Sequence, residues 1–410
     1  MRRVDHAKLS HVMKILIPNA TSPKNTGDQA MLTSLLTLIR RSLPAASVYI
    51  QSVDPAIQKK LLQNEHIEHS VLSWLLFEKP QFVHRVIRLI QITVALMFPK
   101  FIYNKKLKNI VRKYQSSDLI IFAGHGYLRS TKGVTQSVLL MIHLVPYLIA
   151  KVYQKHIIVA PMSFGPFAYQ WQETLVARVL SRIPQLYIRE EISLAAAHTH
   201  GLYHAKLSPD LALLLPKSSQ KIQVTKSIGV SLRNWYTPSA QHVLETEIIS
   251  SLTKFAKETG VMIRLFVNVD APEHKDIDMI VASRVYAALQ RAGVRAVKPQ
   301  ILGTYQAAMR EYQTCTLLLG MRMHANILSA TQHVPFVGIA YEHKTMGIAK
   351  TLGVDTYCIW GHDVTAEKLL RLLDSVFNQR VQIQNDLAKS LRNIRASNAQ
   401  SWRETLIKFR

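Results

Sequence analysis

An arginine and a histidine, separated by one residue, lie in the segment Gly320-Met-Arg-Met-His-Ala-Asn-Ile-Leu-Ser-Ala330, directly after an apolar run. Arg322 can bind an oxyanion through two parallel hydrogen bonds, and the proton affinity of His324 suits acid or base chemistry near neutral pH. The segment has the pattern of a strand-to-helix junction, where the first helical amides also attract anions. We therefore predict a carboxylate or phosphate site with Arg322 and His324 as catalytic candidates. The alternative is a helix cap with a buried histidine.

A second polar cluster follows the apolar run Val334-Pro-Phe-Val-Gly-Ile-Ala340 and consists of Tyr341, Glu342, His343 and Lys344. Ligands of parallel α/β sheets bind beyond the carboxyl ends of the strands, so all four side chains are predicted to face a cleft. Lys344 could neutralise a phosphate, while Glu342 or His343 could bind a sugar. The alternative is a solvated helix start.

Arg233 and Asn234 end a third strand pattern, Ile228-Gly-Val-Ser-Leu-Arg-Asn234. Together with Arg322, Arg233 would form a clamp of two guanidinium groups suited to a small ligand that is anionic at both ends. We assign Arg233 to the catalytic group and Asn234 to substrate binding. Replacing Arg322 by alanine should then abolish activity and leave the fold intact.

The first half of the chain contributes two short motifs. In Asn25-Thr-Gly-Asp28, Asp28 is either a helix N-cap or a carboxylate that binds an acceptor or acts as a base. In Ala123-Gly-His-Gly-Tyr-Leu128, the residues Gly124, His125 and Gly126 are candidates for substrate binding, because glycine lets the backbone approach a ligand closely.

Two further groups are interpreted as structural. Arg189 and Asp210 are predicted to form an ion pair. His198, His200 and His204 lie close together in the sequence, but no carboxylate stands at ligand spacing, so we predict no metal site.

The elements that must position these residues alternate between strands and helices. Strands are predicted at 14–18, 47–52, 118–123, 156–161 and 185–189, and again at 227–231, 261–268, 293–297, 314–319 and 335–340. A polar linker composition near 215–226 separates the two sets. The fold class is therefore α/β, with two doubly wound, Rossmann-like domains facing a cleft. We assign residues 13–220 to a first domain on the acceptor side, 221–380 to a second domain on the donor side, and 381–410 to a C-terminal helix that packs across both.

The charge of the chain is strongly positive, with 51 Lys and Arg against 26 Asp and Glu. An acidic partner is expected, but the chain has no zinc-finger spacing or RNA-binding aromatic strand, so we predict no nucleic acid. The apolar segment Leu89–Phe98 has basic flanks and is interpreted either as a helix on an anionic membrane surface or as an ordinary core helix. Cys315 and Cys358 suit buried thiols in a reducing compartment, so we expect a cytoplasmic chain, either free or peripheral at the inner membrane face.

In order and spacing, six motifs together resemble those of the polysaccharide pyruvyl transferase family. They are Asn25-Thr-Gly-Asp28, the Gly124/Gly126 loop, Tyr187-Ile-Arg-Glu190, Ser208-Pro-Asp210, Arg322-Met-His324 and Tyr341-Glu-His-Lys344. The resemblance runs from about Met13 to Gly353. It implies a fold like that of the B-type glycosyltransferases, phosphoenolpyruvate as donor, and a ketal-linked pyruvate on a sugar of a cell-surface polysaccharide or its lipid-linked precursor. It also implies that Arg233, Arg322 and His324 hold and activate the donor, and that no metal or further cofactor is required.

The chain departs from this pattern at His125, where the family has a glycine. The acceptor could therefore differ, the activity could be absent, or His125 could be a new catalytic group. Two other functions stay open: a glycosyltransferase that uses a nucleotide sugar, and a non-catalytic homologue that binds glycans or lipid.

Overall fold

The structure, a computed structural model, describes residues 12–20, 22–63, 65–76, 81–97, 104–220, 222–271 and 276–410. It contains two mainly parallel sheets with helices on both faces. The predicted α/β class with two Rossmann-like domains is confirmed.

The first domain alternates strands and helices along residues 14–207. Its strands are β1 (Lys14–Ala20), β2 (Ser47–Ser52), β3 (His66–His69), β4 (Leu119–Phe122), β5 (His156–Met162), β6 (Gln185–Ile188) and β7 (Lys206–Leu207). Its helices are α1 (Thr26–Ser42), α2 (Pro55–Leu61), α3 (Val71–Leu76), α4 (Phe82–Met97), α5 (Lys105–Ser116), α6 (Val134–Val152), α7 (Gln170–Leu180) and α8 (Glu191–Thr199). Strand β4 reads Leu-Ile-Ile-Phe and is fully buried, as expected for a parallel sheet that is covered on both faces.

The second domain repeats this arrangement. Its strands are β8 (Ser227–Ser231), β9 (Met262–Val267), β10 (Asp270–Ala271), β11 (Asp276–Ile277), β12 (Ala296–Ile301), β13 (Leu317–Gly320), β14 (Phe336–Ala340) and β15 (Cys358–Trp360). Its helices are α9 (Pro238–Thr259), α10 (Asp278–Arg291), α11 (Tyr305–Gln313), α12 (Met323–Thr331), α13 (His343–Leu352), α14 (Ala366–Asn378) and α15 (Arg380–Ile407). Strands β10 and β11 form a separate antiparallel pair.

The two large sheets have corresponding strand orders. The first is β3-β2-β1-β4-β5-β6-β7 and the second is β12-β9-β8-β13-β14-β15. In each sheet the order reverses beside its first strand, between β1 and β4 and between β8 and β13. Such reversal points open a crevice at the carboxyl ends of the strands, and this is where doubly wound proteins bind their ligands.

Most of the predicted strands are present, with five omissions and one shift. The short strands β3, β7, β10, β11 and β15 were not predicted. The strand predicted at 293–297 lies at 296–301, because Gly293 adopts a left-handed turn (φ 73°) after α10. Cys315 is buried and Cys358 is partly buried, and both thiols are free.

The C-terminal helix α15 joins the two domains, as predicted. Ile383, Leu387 and Leu391 pack in the core of the second domain. Trp402 and Leu406 pack in the core of the first domain, where the hydroxyl of Tyr187 lies 2.7 Å from that of Thr405. The last helix of the chain therefore completes the core of the first domain.

Among the described residues, α6 is the one helix long and apolar enough to cross a membrane. Half of its apolar stretch is buried inside the protein, where it packs against α3, α4 and α7. Helix α6 therefore packs as part of the first domain.

Candidate active site

A cavity of about 120 Å³ lies between the two domains, at the carboxyl ends of their strands. Four arginines, one lysine and one histidine line it, and among the described lining residues Asp28 is the one carboxylate. These basic residues are Arg129, Arg189, Arg233, Arg322, Lys344 and His324. Both domains contribute to this excess of positive charge, which makes the cavity a site for anions.

The N-terminus of α1 forms one wall of the cavity. Asn25 is the N-cap, since its side chain accepts a hydrogen bond from the Gly27 amide, so the alternative reading of Asp28 as the N-cap is wrong. A β-carbon on Gly27 would lie 2.2 Å from Cγ and Nδ1 of His324 in the other domain. The absence of a side chain at Gly27 therefore lets the helix contact the imidazole directly.

Arg322 is held by a carboxylate that the sequence did not reveal. Its Nε donates to Oδ1 of Asp278 at 3.0 Å and its Nη2 donates to the same oxygen at 2.5 Å. Both side chains are almost fully buried, with exposed fractions of 9% for Arg322 and 1% for Asp278. This ion pair fixes the guanidinium plane at the cavity wall.

Arg233 is fixed by aromatic rings and by a phenol. Its Nη1 donates to the hydroxyl of Tyr341 at 2.8 Å, and its guanidinium lies 4.5 Å from the ring centre of Trp235. Arg129 of the first domain stacks on the same Trp235 ring at 4.8 Å. The predicted pair of arginines, Arg233 and Arg322, thus lies in one cavity, and Arg129 joins it from the opposite domain.

Tyr341 and Lys344 have strongly shifted proton affinities. Burial raises the pKa of Tyr341, but Lys344, Arg233, Arg322 and Arg129 outweigh it and lower the pKa to about 7. Burial also lowers the pKa of Lys344; Tyr341 opposes this, the neighbouring arginines reinforce it, and the result is a pKa of about 7. The neighbouring cations thus determine the shift of Tyr341 against burial, whereas burial is the main cause of the shift of Lys344 and the arginines add to it.

His324 faces an ionised carboxylate. Its Nε2 lies 3.5 Å from Oδ2 of Asp210, which is an ion-pair distance rather than a well-formed hydrogen bond. Burial raises the pKa of Asp210, but His324, Arg189 and the Ala212 amide outweigh it and lower the pKa to about 2. An ionised Asp210 places a negative charge beside the imidazole of His324.

The predicted pair of Arg189 and Asp210 is confirmed, with 2.9 Å between Nη1 and Oδ2. Arg189 also lines the cavity, which was not expected. Its Nη2 would lie 3.2 Å from a β-carbon on Gly126, so this glycine leaves the guanidinium open to the cavity.

Asp28 lies on the cavity wall opposite the second domain's arginines. The hydroxyl of Tyr127 donates to its Oδ2 at 2.8 Å. The ring of Tyr127 stacks on His143 of α6, with 5.1 Å between ring centres. The carboxylate is therefore fixed through a chain of contacts that reaches into α6.

Three residues predicted to bind substrate do not line the cavity. Asn234 is exposed. Glu342 pairs with Arg129 and, at 2.8 Å, with Lys344, so its carboxylate is engaged with the cations and does not face a sugar. His343 lies 3.3 Å from Glu190 and 3.2 Å from the Ser193 hydroxyl, which makes it part of the contact between domains. Of the cluster 341–344, Tyr341 and Lys344 line the cavity.

His125 and Gly124 are also set back from the cavity. His125 is 4% exposed; its Nε2 lies 3.1 Å from the Tyr147 hydroxyl, and its Nδ1 accepts from the Tyr127 amide. Burial and the nearby His143 and Arg189 lower its pKa to about 3, so the ring is neutral. A β-carbon on Gly124 would lie 2.2 Å from the Pro161 carbonyl oxygen, so this glycine is required for packing. The predictions that His125 is a new catalytic group or binds substrate are therefore wrong, because the ring is buried away from the cavity.

Several residues of the site were missed. Arg129 and Tyr127 continue the loop that starts at Gly124, and reading this loop to its end would have found them. Asp278 is the first residue of α10 and directly follows a strand. The rule that ligands bind after strands therefore indicates this region, but it does not show that Asp278 pairs with Arg322. Asn268 follows β9 and lines the cavity.

The three clustered histidines do not form a metal site. His198 belongs to α8, and His200 lies 2.8 Å from Glu173. Across the described residues, no group of three or more His, Cys, Asp or Glu side chains could hold a metal ion.

Comparisons with known proteins agree with this geometry. The chain is 22% identical to the amylovoran biosynthesis protein AmsJ of Erwinia amylovora, over 92% of this chain and 95% of that protein. Its fold is similar to that of Anabaena HepE, solved with UDP and glucose (TM-score 0.56, 14% identity, 95% and 99% of the two chains). It is also similar to a putative UDP-N-acetylglucosamine 2-epimerase of Listeria monocytogenes (TM-score 0.59, 9% identity, 92% and 91%). The model of one family, polysaccharide pyruvyl transferase, matches residues 25–343, which carry every lining residue of the cavity except Lys344, and the chain belongs to this family.

Proposed function

We propose that the cavity binds phosphoenolpyruvate and that the chain transfers its pyruvyl group to two hydroxyls of a sugar, forming a cyclic ketal. One observation carries the proposal: cations from both domains converge on a cavity in which Asp28 is the one carboxylate among the described lining residues. Phosphoenolpyruvate has a carboxylate at one end and a phosphate at the other, so it needs cations on both sides. The acceptor in this proposal is a cell-surface polysaccharide or its lipid-linked precursor, and the reaction takes place in the cytoplasm.

The donor would be held by guanidinium groups that are already in place. Arg322 is fixed by Asp278 and Arg233 by Tyr341, so neither side chain has to be ordered when the ligand binds. Lys344, Arg129 and Arg189 surround the same space and can stabilise the departing phosphate. Preorganised donors of this kind stabilise the charge that develops in a transition state.

His324 is the proposed acid. It gives its proton to the methylene carbon of phosphoenolpyruvate, which becomes a methyl group, and the adjacent carbon becomes electrophilic. A sugar hydroxyl then forms a bond to that carbon. Asp210 stays ionised and stabilises the imidazolium before the transfer.

Asp28 is the proposed acceptor for the proton of the attacking hydroxyl. Its carboxylate faces the cavity and accepts a hydrogen bond from Tyr127, which fixes its orientation. The carbon–phosphate oxygen bond then breaks, phosphate leaves, and the neighbouring hydroxyl closes the ring. Asp28 passes the proton of the first hydroxyl to the departing phosphate, and the proton of the second hydroxyl restores His324, so no step uses a metal ion or a redox partner.

The test is isothermal titration of the protein with phosphoenolpyruvate and, separately, with a panel of nucleotide sugars. We expect phosphoenolpyruvate to bind, and Arg233→Gln to weaken it about 10- to 100-fold, because a hydrogen bond to a charged group is lost. Arg310→Gln, an exposed arginine on α11, is the matched control and should bind normally. Binding of a nucleotide sugar without binding of phosphoenolpyruvate would overturn the proposal.

Arg322→Ala is not a suitable test, contrary to the expectation that it leaves the fold intact. It would leave Asp278 buried without its cation, which costs about 3–5 kcal/mol of stability.

A further inference from the structure

Helix α4 has an apolar stripe on its outer face. Val83, Ile87, Ile90, Val94 and Met97 recur every three or four residues, which places them on one side of the helix. They are between 45% and 69% exposed. A stripe of large apolar side chains in solvent marks an interaction surface.

Helix α6 packs beside α4 and extends this surface. Val134, Met141, Leu148 and Val152 are exposed at intervals of seven, seven and four residues, so they too share one side of their helix. We name the nine side chains of the two stripes the apolar face of α4 and α6.

The stretch of sequence that contains α4, α5 and α6 is rich in cations and nearly free of acidic residues. Between Gln81 and Gln172 the sequence has twelve lysines and arginines, and Asp118 is the one acidic residue. Asp118 accepts a hydrogen bond from the backbone amide of Lys14 at 2.8 Å, so it belongs to the sheet and not to this surface. Lys105, Lys108 and Arg112 of α5 are exposed, and α5 contacts α6.

We propose that the apolar face of α4 and α6 binds the surface of a lipid bilayer rich in anionic phospholipid. Apolar side chains on helices that lie flat can enter the interface, and the lysines and arginines around them can pair with lipid phosphates. A protein partner would be expected to meet charges of both signs, whereas this region offers cations. Helix α6 lies on the bilayer in this arrangement and does not cross it, because half of its apolar stretch is buried in the fold.

The same helix reaches the cavity. Helix α6 begins five residues after Arg129, and its His143 stacks on Tyr127, the residue that holds Asp28. From Val134 to His143 the helix advances only about 14 Å. A membrane at the apolar face would therefore lie near the acceptor side of the cavity, and this consequence, unlike the membrane binding itself, rests on the proposed function.

The test is co-sedimentation of the full chain with vesicles, without donor or acceptor. We expect binding to phosphatidylcholine vesicles with about 30 mol% phosphatidylglycerol, little binding to pure phosphatidylcholine, and weakening by salt. Ile90→Gln/Val94→Gln and, separately, Lys105→Gln/Lys108→Gln should each reduce binding by about tenfold or more.

Matched controls exist in the second domain. Val243→Gln/Ile280→Gln removes equally exposed apolar side chains, and Lys389→Gln/Arg392→Gln removes exposed charges from α15. Both should bind vesicles like the wild type. The proposal is overturned if the wild type stays in the supernatant, or if either α4–α5 variant binds as well as the wild type. It is also overturned if the wild type is a dimer that Ile90→Gln/Val94→Gln dissociates without any vesicle binding.

Discussion

Two histidines follow corresponding strands of the two domains, yet their surroundings differ completely. His125 comes three residues after β4 and His324 four residues after β13, and these strands hold the same place in the two sheet orders. His125 is sealed against Tyr147 and has a pKa of about 3, whereas His324 faces the cavity beside an ionised Asp210. The position after a strand selects a region of the molecule, and the neighbouring charges decide whether a histidine there can do chemistry.

A tyrosine near each histidine shows the same contrast. Tyr147 contacts His125, and burial raises its pKa. Tyr341 lines the same cavity as His324, and four cations lower its pKa to about 7. The buried pair of His125 and Tyr147 is therefore neutral, whereas the cavity holds a tyrosine that changes charge near neutral pH.

The largest effect is expected from His324→Ala. Loss of the proposed acid should reduce pyruvyl transfer by about 10²- to 10⁴-fold, measured as phosphate release from phosphoenolpyruvate in the presence of a sugar acceptor. Binding of phosphoenolpyruvate should change far less, because the arginines remain. A variant that keeps full transfer would remove His324 from the mechanism.

A smaller loss is expected from Asp210→Asn, which removes the charge that stabilises the imidazolium. Transfer should fall by about 10- to 100-fold.

Because the pKa of Asp210 is lowered in the folded state to about 2, its contribution to stability is complete above pH ~4 and is lost as the pH falls through about 2.

Urea unfolding of the wild type and Asp210→Asn checks this dependence. The difference between their free energies of unfolding should shrink as the pH falls from about 5 to about 2. An unchanged difference would mean that Asp210 is not ionised as described.

Tyr341→Phe tests the contrast between the two tyrosines. Phenolate absorbance should show a transition near pH 7 in the wild type, because the pKa of Tyr341 is about 7. The transition should be absent in Tyr341→Phe and retained in Tyr147→Phe.

The pKa values of Tyr341 and Lys344 are both lowered in the folded state, so both groups lose their protons more readily there than in the unfolded chain. The free energy of unfolding should therefore rise from pH ~7 to ~10, and binding of a dianion near pH 7 should take up protons.

The smallest effect on activity is expected from His125→Phe. The ring is buried away from the cavity, so transfer should stay within about threefold of the wild type. The Tyr147 hydroxyl loses its partner, which should lower the free energy of unfolding by about 1–3 kcal/mol. A hundredfold loss of transfer without a loss of stability would mean that His125 does belong to the active site.

The fold was predictable because nearly every strand is a run of buried apolar residues bounded by turn residues. The strands that were missed have two to four residues, too few to establish a periodic pattern: β7 is Lys206–Leu207 and β15 is Cys358–Trp360. Within the site, Arg233 and Arg322 were predictable from their place after strands.

Which neighbour faces the ligand was harder to predict. Adjacent residues of an extended segment point in opposite directions, so Arg233 enters the cavity while Asn234 is exposed. The pairing of Arg322 with Asp278 joins residues 44 positions apart, and no local pattern contains that information. The burial of His125 depends on Tyr147, which lies on a different element.

The closing segment of the chain has a consequence for the order in which the protein is made. Trp402 and Leu406 fill the interior of the first domain, yet the ribosome adds them after the entire second domain. Domains made first usually fold first. Here the earlier half stays incomplete until residues 402–406 have been made, so chains cut short before residue 402 would leave an apolar gap in a domain whose own strands are all present.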